Sequence, residues 1–180
     1  MKRLILTPLS FLLSLTAFAC STAPRTPEGK ADLDQRAQGV VSRAEATDKS
    51  LQNTLRGSVG YAVFPQVGKG GAGVGGAYGK GVLYENGAAV GYCDMTQGSI
   101  GLQLGAQTYA EIIAFQTREA LDRFKRGKFS FDAQASAVAI KSGMAANAGF
   151  TNSVAVFTTD EAGLMVEAAV GGQSFSYEPK

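Results

Sequence analysis

Apolar and polar positions change their period once along this chain, near Ser58. Upstream, Leu33, Ala37, Val40, Val41, Ala44, Leu51 and Leu55 recur at steps of three and four or their sums, which predicts a helix over 31–56. Asp32–Arg36 and Glu45–Lys49 add i,i+4 pairs with the acid first, and Gly57 stands where a C-terminal cap belongs. Gly39 weakens this helix, and Asp48 interrupts its apolar stripe. The apolar side is mostly Ala and Val, with no aromatic to wedge into lipid. It suits packing on the domain better than lying on a membrane surface.

Downstream the period is that of strands. Val59–Phe64 ends at Pro65, and Gly81–Tyr84 and Ala88–Cys93 flank Asn86-Gly87, a strong hairpin-turn dipeptide. Ser99–Leu104 and Thr108–Phe115 come next, punctuated by Gly98 and Gly105. Thr117 caps a short helix, Arg118–Lys125, whose Leu121 and Phe124 face inward. Phe129 and Phe131 alternate with Ser130 and Asp132 as a short strand or edge, and Ala135–Ile140 is small and apolar. Val154–Thr158, Leu164–Val170 and Ser174–Tyr177 read as strands. About nine short strands with hairpin-sized links, plus two helical segments, predict an α+β fold. Its core is an antiparallel, glycine-rich sheet, sandwich or barrel-like, with an N-terminal helix and one short mid-chain helix.

One stretch breaks the alternation. In Gly68–Gly81, GKGGAGVGGAYGKG, eight of fourteen residues are glycine. So much glycine excludes a helix interior. Two readings stand: close-packed glycine-rich strands joined by turns, or bare backbone N–H groups that, with Lys69 and Lys80 and no acid, suit an anion. Gly68-x-Gly70-x-x-Gly73 and Gly71-x-Gly73-x-x-Gly76 both fit the dinucleotide fingerprint as text. The residues after them, AYGKGVLYENG, read as strand and turn rather than the helix whose N-terminus must meet the pyrophosphate. A phosphate loop fails too, since Gly81 replaces the Ser/Thr after Lys80 and Val74 sits where the first glycine belongs.

The N-terminus has neither period. Lys2 and Arg3 precede an apolar run, Leu4 to Phe18, interrupted by Thr7, Pro8, Ser10, Ser14 and Thr16. It is shorter than the roughly 20 residues of a spanning helix and reads as a signal peptide over 1–19. Its end, LTAFAC, supports two cuts. Ala17-x-Ala19 suits the ordinary signal peptidase, and a small residue before Cys20 resembles the bacterial lipobox, although Ala17 and Phe18 depart from its usual form. We favour acylation of Cys20, with 20–30 as a polar tether containing two prolines and 31–180 as the domain. Ser21 then suits an outer membrane, with the domain facing the periplasm; the other cut yields a soluble periplasmic protein.

Removing Lys2 and Arg3 leaves fifteen basic against fifteen acidic residues, a neutral chain poorly suited to general nucleic-acid binding. There is no His and no Trp, and Cys93 is the only other cysteine. No metal or cofactor motif and no nucleophile–base set emerges, so we expect no catalysis. The densest basic patch is Arg118, Arg123, Lys125, Arg126 and Lys128, against Glu119 and Asp122. It reads as a solvated face or, with Lys69 and Lys80, as the contact for anionic headgroups.

Several of these runs carry a resemblance. Val63-Phe64-Pro65, Gly68-Lys69-Gly70-Gly71 and Gly75-Gly76-Ala77-Tyr78-Gly79-Lys80-Gly81 resemble the core of the SYLF domain, the lipid-binding domain of yeast and animal actin-associated proteins. Ile100-Gly101-Leu102-Gln103-Leu104-Gly105-Ala106-Gln107, Leu121-Asp122-Arg123-Phe124 and Gly163-Leu164-Met165-Val166-Glu167-Ala168 are similar to its bacterial members. The resemblance spans roughly 31–177. It implies phosphoinositide or other phospholipid binding, often through an N-terminal amphipathic helix, and no known catalysis. The expectation is a lipid-anchored envelope protein whose domain binds membrane phospholipid. The alternative is a structural envelope protein that binds a protein partner and touches lipid only through its acyl anchor.

Overall fold

The computed structural model describes residues 22–127, 130–131, 137–140, 145, 148–159 and 162–180. Helix α1 spans Pro27–Thr47 and α2 spans Lys49–Gly57. The single helix expected over 31–56 is therefore two, and the break falls at Asp48, the residue that interrupts the apolar stripe. Asp48 is extended, caps α2 by accepting from the Ser50 amide at 2.9 Å, and is buried. Its other oxygen accepts from the Ala145 amide at 2.7 Å, tying the helix pair to a distant segment. Removing the carboxylate would leave a buried N–H without an acceptor, a loss of about 1–3 kcal/mol.

Helix α1 also begins earlier than its apolar period suggests. Thr26 accepts from the Gly29 amide and Pro27 opens the first turn, where its missing N–H costs nothing. Upstream, the Ala23 amide donates to Glu178 at 3.1 Å and Thr22 shares a 3.1 Å hydrogen bond with Ser176. From Thr22 onward, the stretch expected as a tether is held on the sheet, and from Pro27 it is helical. Pro24 and Pro27 read as loop signals in sequence, whereas Thr26-Pro27 is a helix start.

The sheet is built around one long hairpin. Strand β1, Gly60–Glu85, pairs antiparallel with β2, Ala88–Phe115, through the turn at Asn86-Gly87. The three short strands expected between Val59 and Cys93 and the two between Ser99 and Phe115 are pieces of these two. Pro65 and the glycines read as stops, but they mark irregularities in a continuous ladder, with register shifts at Phe64/Val67 and Ala72/Val74. Strand β6, Ala162–Pro179, pairs antiparallel with β2 from Gly91 to Thr108, and β5, Val154–Thr158, takes over from Glu111 to Phe115. Short β3, Ser130–Phe131, extends β6, and β4, Ala137–Ala139, pairs with β5 in parallel, the one departure from antiparallel order among the described strands. The fold is α+β, as expected.

Strand β1 folds back on itself. Gly73, with φ of 75°, sits at the bulge between Ala72 and Val74. On either side the two arms approach too closely for side chains: a Cβ on Gly81 would lie 2.6 Å from the Val63 carbonyl oxygen. The glycine-rich stretch is thus strand on both sides of a bend, the first of the two readings. Bending gives the hairpin an enclosed concave face. Apolar residues fill its lower part: Phe64, Leu83, Met95, Ile113 and Phe115, with Leu121 and Phe124 of α3, Arg118–Lys125. A second cluster lies under α1, where Leu33, Ala37, Val40 and Ala44 meet Val63, Val82 and Ile112. The boundaries of α3 and its Thr117 cap match the sequence reading.

Candidate functional site

The basic residues expected to meet an anion do not form one surface. Arg118 and Lys125 both pair with Glu85 beside the hairpin turn, the former at 2.6 Å. Partial burial pushes the Glu85 carboxyl up, but hydrogen bonds and charge from Lys125 and Arg118 outweigh it and hold the carboxyl below its ordinary range. These two cations are therefore largely spent on an internal partner. Arg126 is exposed, Arg123 is half-buried with its Nε enclosed and without a partner among the described residues, and Lys128 lies outside the described residues. Lys80 lies 3.1 Å from Asp94 and donates to the Thr22 carbonyl at 2.9 Å. Burial pulls the Lys80 ammonium down, yet bonds to Asp94 and Tyr78 raise it above its usual value. Lys69 is buried, inside the bent hairpin rather than on a face open to a headgroup. Cys20 lies outside the described residues. Cys93 is fully enclosed, and burial pushes its thiol well above the usual range.

The bend itself brings together residues the sequence reading did not single out. On the concave side Lys69, Gln97, Ser99, Gln107, Glu111 and Gln173 are all buried. Gln173 Nε2 donates to Glu111 Oε2 at 3.1 Å and lies 3.4 Å from Gln97 Oε1. Glu111 Oε1 has no hydrogen-bond partner among the described residues. Burial pushes the Glu111 carboxyl up to about 7, against the Gln173 hydrogen bond and the charge of Lys69. The signal for this cluster was present as polar residues at alternate positions of β2, but alternation does not say which face closes.

On the convex side the same strands carry Val74, Tyr78, Ile100 and Leu104, the exposed large hydrophobic side chains among the described residues. Val74 pairs with Ile100 and Ala72 with Leu104 across the ladder, so the apolar side chains adjoin. Residues 70–79 and 95–110 contain no Asp, Glu, Lys or Arg.

A groove of about 410 Å³ runs between α1 and β1, past Asp32, Arg36, Arg43 and Pro65. A hollow of about 240 Å³ adjoins it, bounded by Arg36, Gln66, Tyr78 and Lys80. Arg36 is engaged there by Gln66 at 2.5 Å and Asp32 at 3.7 Å. Among the described residues no three His, Cys, Asp or Glu side chains converge on a point where a metal could sit.

Residues 96–179 match the family described as Ysc84: Las17-binding protein actin regulator. The match begins within β2 and ends with β6, leaving α1, α2 and β1 outside it. No curated protein matches the chain.

Proposed function

From the premise that this chain carries a domain of the Ysc84 (SYLF) family, we propose that it is a non-catalytic, membrane-associated module that binds phospholipid. The family membership carries this reading, because it joins the domain to lipid- and actin-regulator-related proteins rather than to an enzyme class. Two features of the chain support the membrane. The first is the leader ending at Cys20, which we read as an acylated anchor on the periplasmic side of an outer membrane. The second is the exposed apolar group Val74, Ile100 and Leu104 on the bend, in stretches 70–79 and 95–110 that contain no charged residue. A protein partner, with lipid contact only through the anchor, remains the second reading; the family description names a protein-binding, actin-regulating role for its members.

With Arg118 and Lys125 held by Glu85, electrostatic attraction to anionic lipid falls chiefly to Arg126 and Arg123. It should be weak and lost in salt, since exposed charges are screened beyond about 10 Å at 0.1 M. The test is flotation of exported protein carrying Cys20→Ser, which removes the acyl site, with phosphatidylcholine vesicles and with vesicles also containing phosphatidylglycerol. Flotation with either lipid is the expected outcome. Protein that floats only when Cys20 is intact and acylated by intact mass would establish the second reading instead.

A further inference from the structure

Along the convex face of the hairpin the side chains change character in a fixed order. At the bend stand Val74, Ile100 and Leu104, 68–72 % exposed. Four residues along β1 comes Tyr78, also exposed, and two further the Lys80–Asp94 ion pair. On the same face, at the same level, Thr22 accepts from Lys80 through its carbonyl and is fastened to Ser176, which pairs with Asp94. Apolar tip, aromatic residue and charged pair in this sequence match the layers of a membrane: hydrocarbon, interface and headgroup. The spacing fits as well. Four strand residues cover about 13 Å, close to one leaflet's roughly 15 Å of hydrocarbon.

The interior of the bend strengthens the case. A water-soluble sheet puts apolar side chains inside and polar ones outside. Here Gln97, Ser99, Gln107 and Gln173 are inside and Val74, Ile100 and Leu104 are outside, the inverted pattern of a strand that faces lipid. Turning the polar groups inward leaves no charged side chain on 70–79 or 95–110 to resist transfer from water.

We propose that the bend of the β1–β2 hairpin, led by Val74, Ile100 and Leu104, inserts into the hydrocarbon of one leaflet of a phospholipid bilayer. This rests on the membrane reading above and assigns it a surface, the convex tip rather than the basic residues of α3. Insertion is by strands; no described helix is long and apolar enough to cross a membrane.

The chain has no Trp, so a single introduced indole reports its own surroundings. Exported protein carrying Cys20→Ser and Ile100→Trp is mixed with phosphatidylcholine–phosphatidylglycerol vesicles, with Asn53→Trp, at an exposed position of α2, as the comparison. The expected result is a blue shift of the Trp at 100 and loss of most of its emission to brominated acyl chains, with neither change at 53. In the protein without introduced Trp, Ile100→Asp with Leu104→Asp should lower vesicle binding on the order of tenfold, since a charge on a lipid-facing strand is penalised. Flotation with an unshifted Trp at 100 overturns the insertion and leaves the membrane reading standing. Absence of flotation with either lipid overturns both. A Trp at 100 already blue-shifted and shielded from acrylamide before lipid is added shows the tip covered by protein, and also overturns the proposal.

Discussion

The lower and upper halves of the same hairpin solve opposite problems with the same two strands. Near its ends, β1 and β2 turn Phe64, Leu83, Ile113 and Phe115 into a dry core, capped by Leu121 and Phe124 of α3. From Glu111, the partner of Phe64 at the boundary, toward the bend, the same concave face holds Gln107, Lys69 and Gln97, and nearest the bend the apolar side chains Val74, Ile100 and Leu104 lie outside. Strand pairing is continuous through both halves apart from its bulges, so the change is not one of backbone. It lies in which set of alternating positions is apolar. The lower half is stabilised by burial in water. The upper half gains little from water, and its outer face suits a different solvent.

The largest effect that would test this contrast lies in the lower half. Phe124 is fully buried, with its ring centroid 4.9 Å from Phe115 and 5.1 Å from Phe175, so it joins α3 to both β2 and β6. Phe124→Ala should cost about 3–5 kcal/mol through lost burial and a cavity. Against a total of about 5–15 kcal/mol for an ordinary domain, that is a severe loss. Urea unfolding followed by circular dichroism measures it. A loss below about 1 kcal/mol would mean that α3 is not part of the core.

Next comes the polar interior of the upper half. Glu111 is fully buried and faces Gln173 and Lys69, with its carboxyl pushed up to about 7. Unfolded, a glutamate titrates near about 4.3. Between these values the folded state holds a proton that the unfolded state has released, so stability falls as pH rises. The contribution from neutral Glu111 is complete below about pH 4.3 and gone above about pH 7, a change of about 4 kcal/mol. Glu111→Gln keeps an oxygen for the Gln173 amide and cannot ionise. Its stability relative to the parent should be near equal at about pH 4 and about 4 kcal/mol greater at about pH 8. A difference that does not vary with pH would show that Glu111 is solvated, and the contrast between dry lower and polar upper interiors would blur.

The same division separates the features legible in the residues from those that were not. Asn86-Gly87 marks the turn on its own chemistry, since both residues take positive φ there. Thr117 and the Leu121/Phe124 spacing locate α3 because cap and apolar period agree. Asp48 shows as a flaw in a helical stripe and proves to be the cap that divides it. The strands were harder. Pro65, Gly98 and Gly105 carry the usual signs of an ending, while ladder pairing, a long-range property, carries the chain through them. The basic patch shows the same limit. Arg118 and Lys125 are close in sequence to Arg126, but their partner, Glu85, is 33 and 40 residues away. The polar interior was hidden for a related reason: alternation separates two faces, but closure of the bend decides which is inside.

The smallest expected effect is the sharpest test of the upper half. Ile100 and Leu104 are 72 % and 70 % exposed, so replacing both with Ser removes little that folding has buried. Their remaining contribution is strand preference, where the full range between residues is about 1 kcal/mol. Ile100→Ser with Leu104→Ser should therefore leave stability in water within about 1 kcal/mol of the parent, measured by the same urea titration. The change should also be insensitive to protein concentration. In vesicle binding the same pair should matter far more than Arg123 and Arg126 together, reversing the order that charge alone would set. If the double Ser variant instead loses more than about 2 kcal/mol in water, the tip is already covered there. A concentration-dependent loss would identify the cover as a second copy, and a concentration-independent one as another segment of the same chain. Either result would make the upper half a second buried core, and the comparison between the two halves would fail at its clearest point.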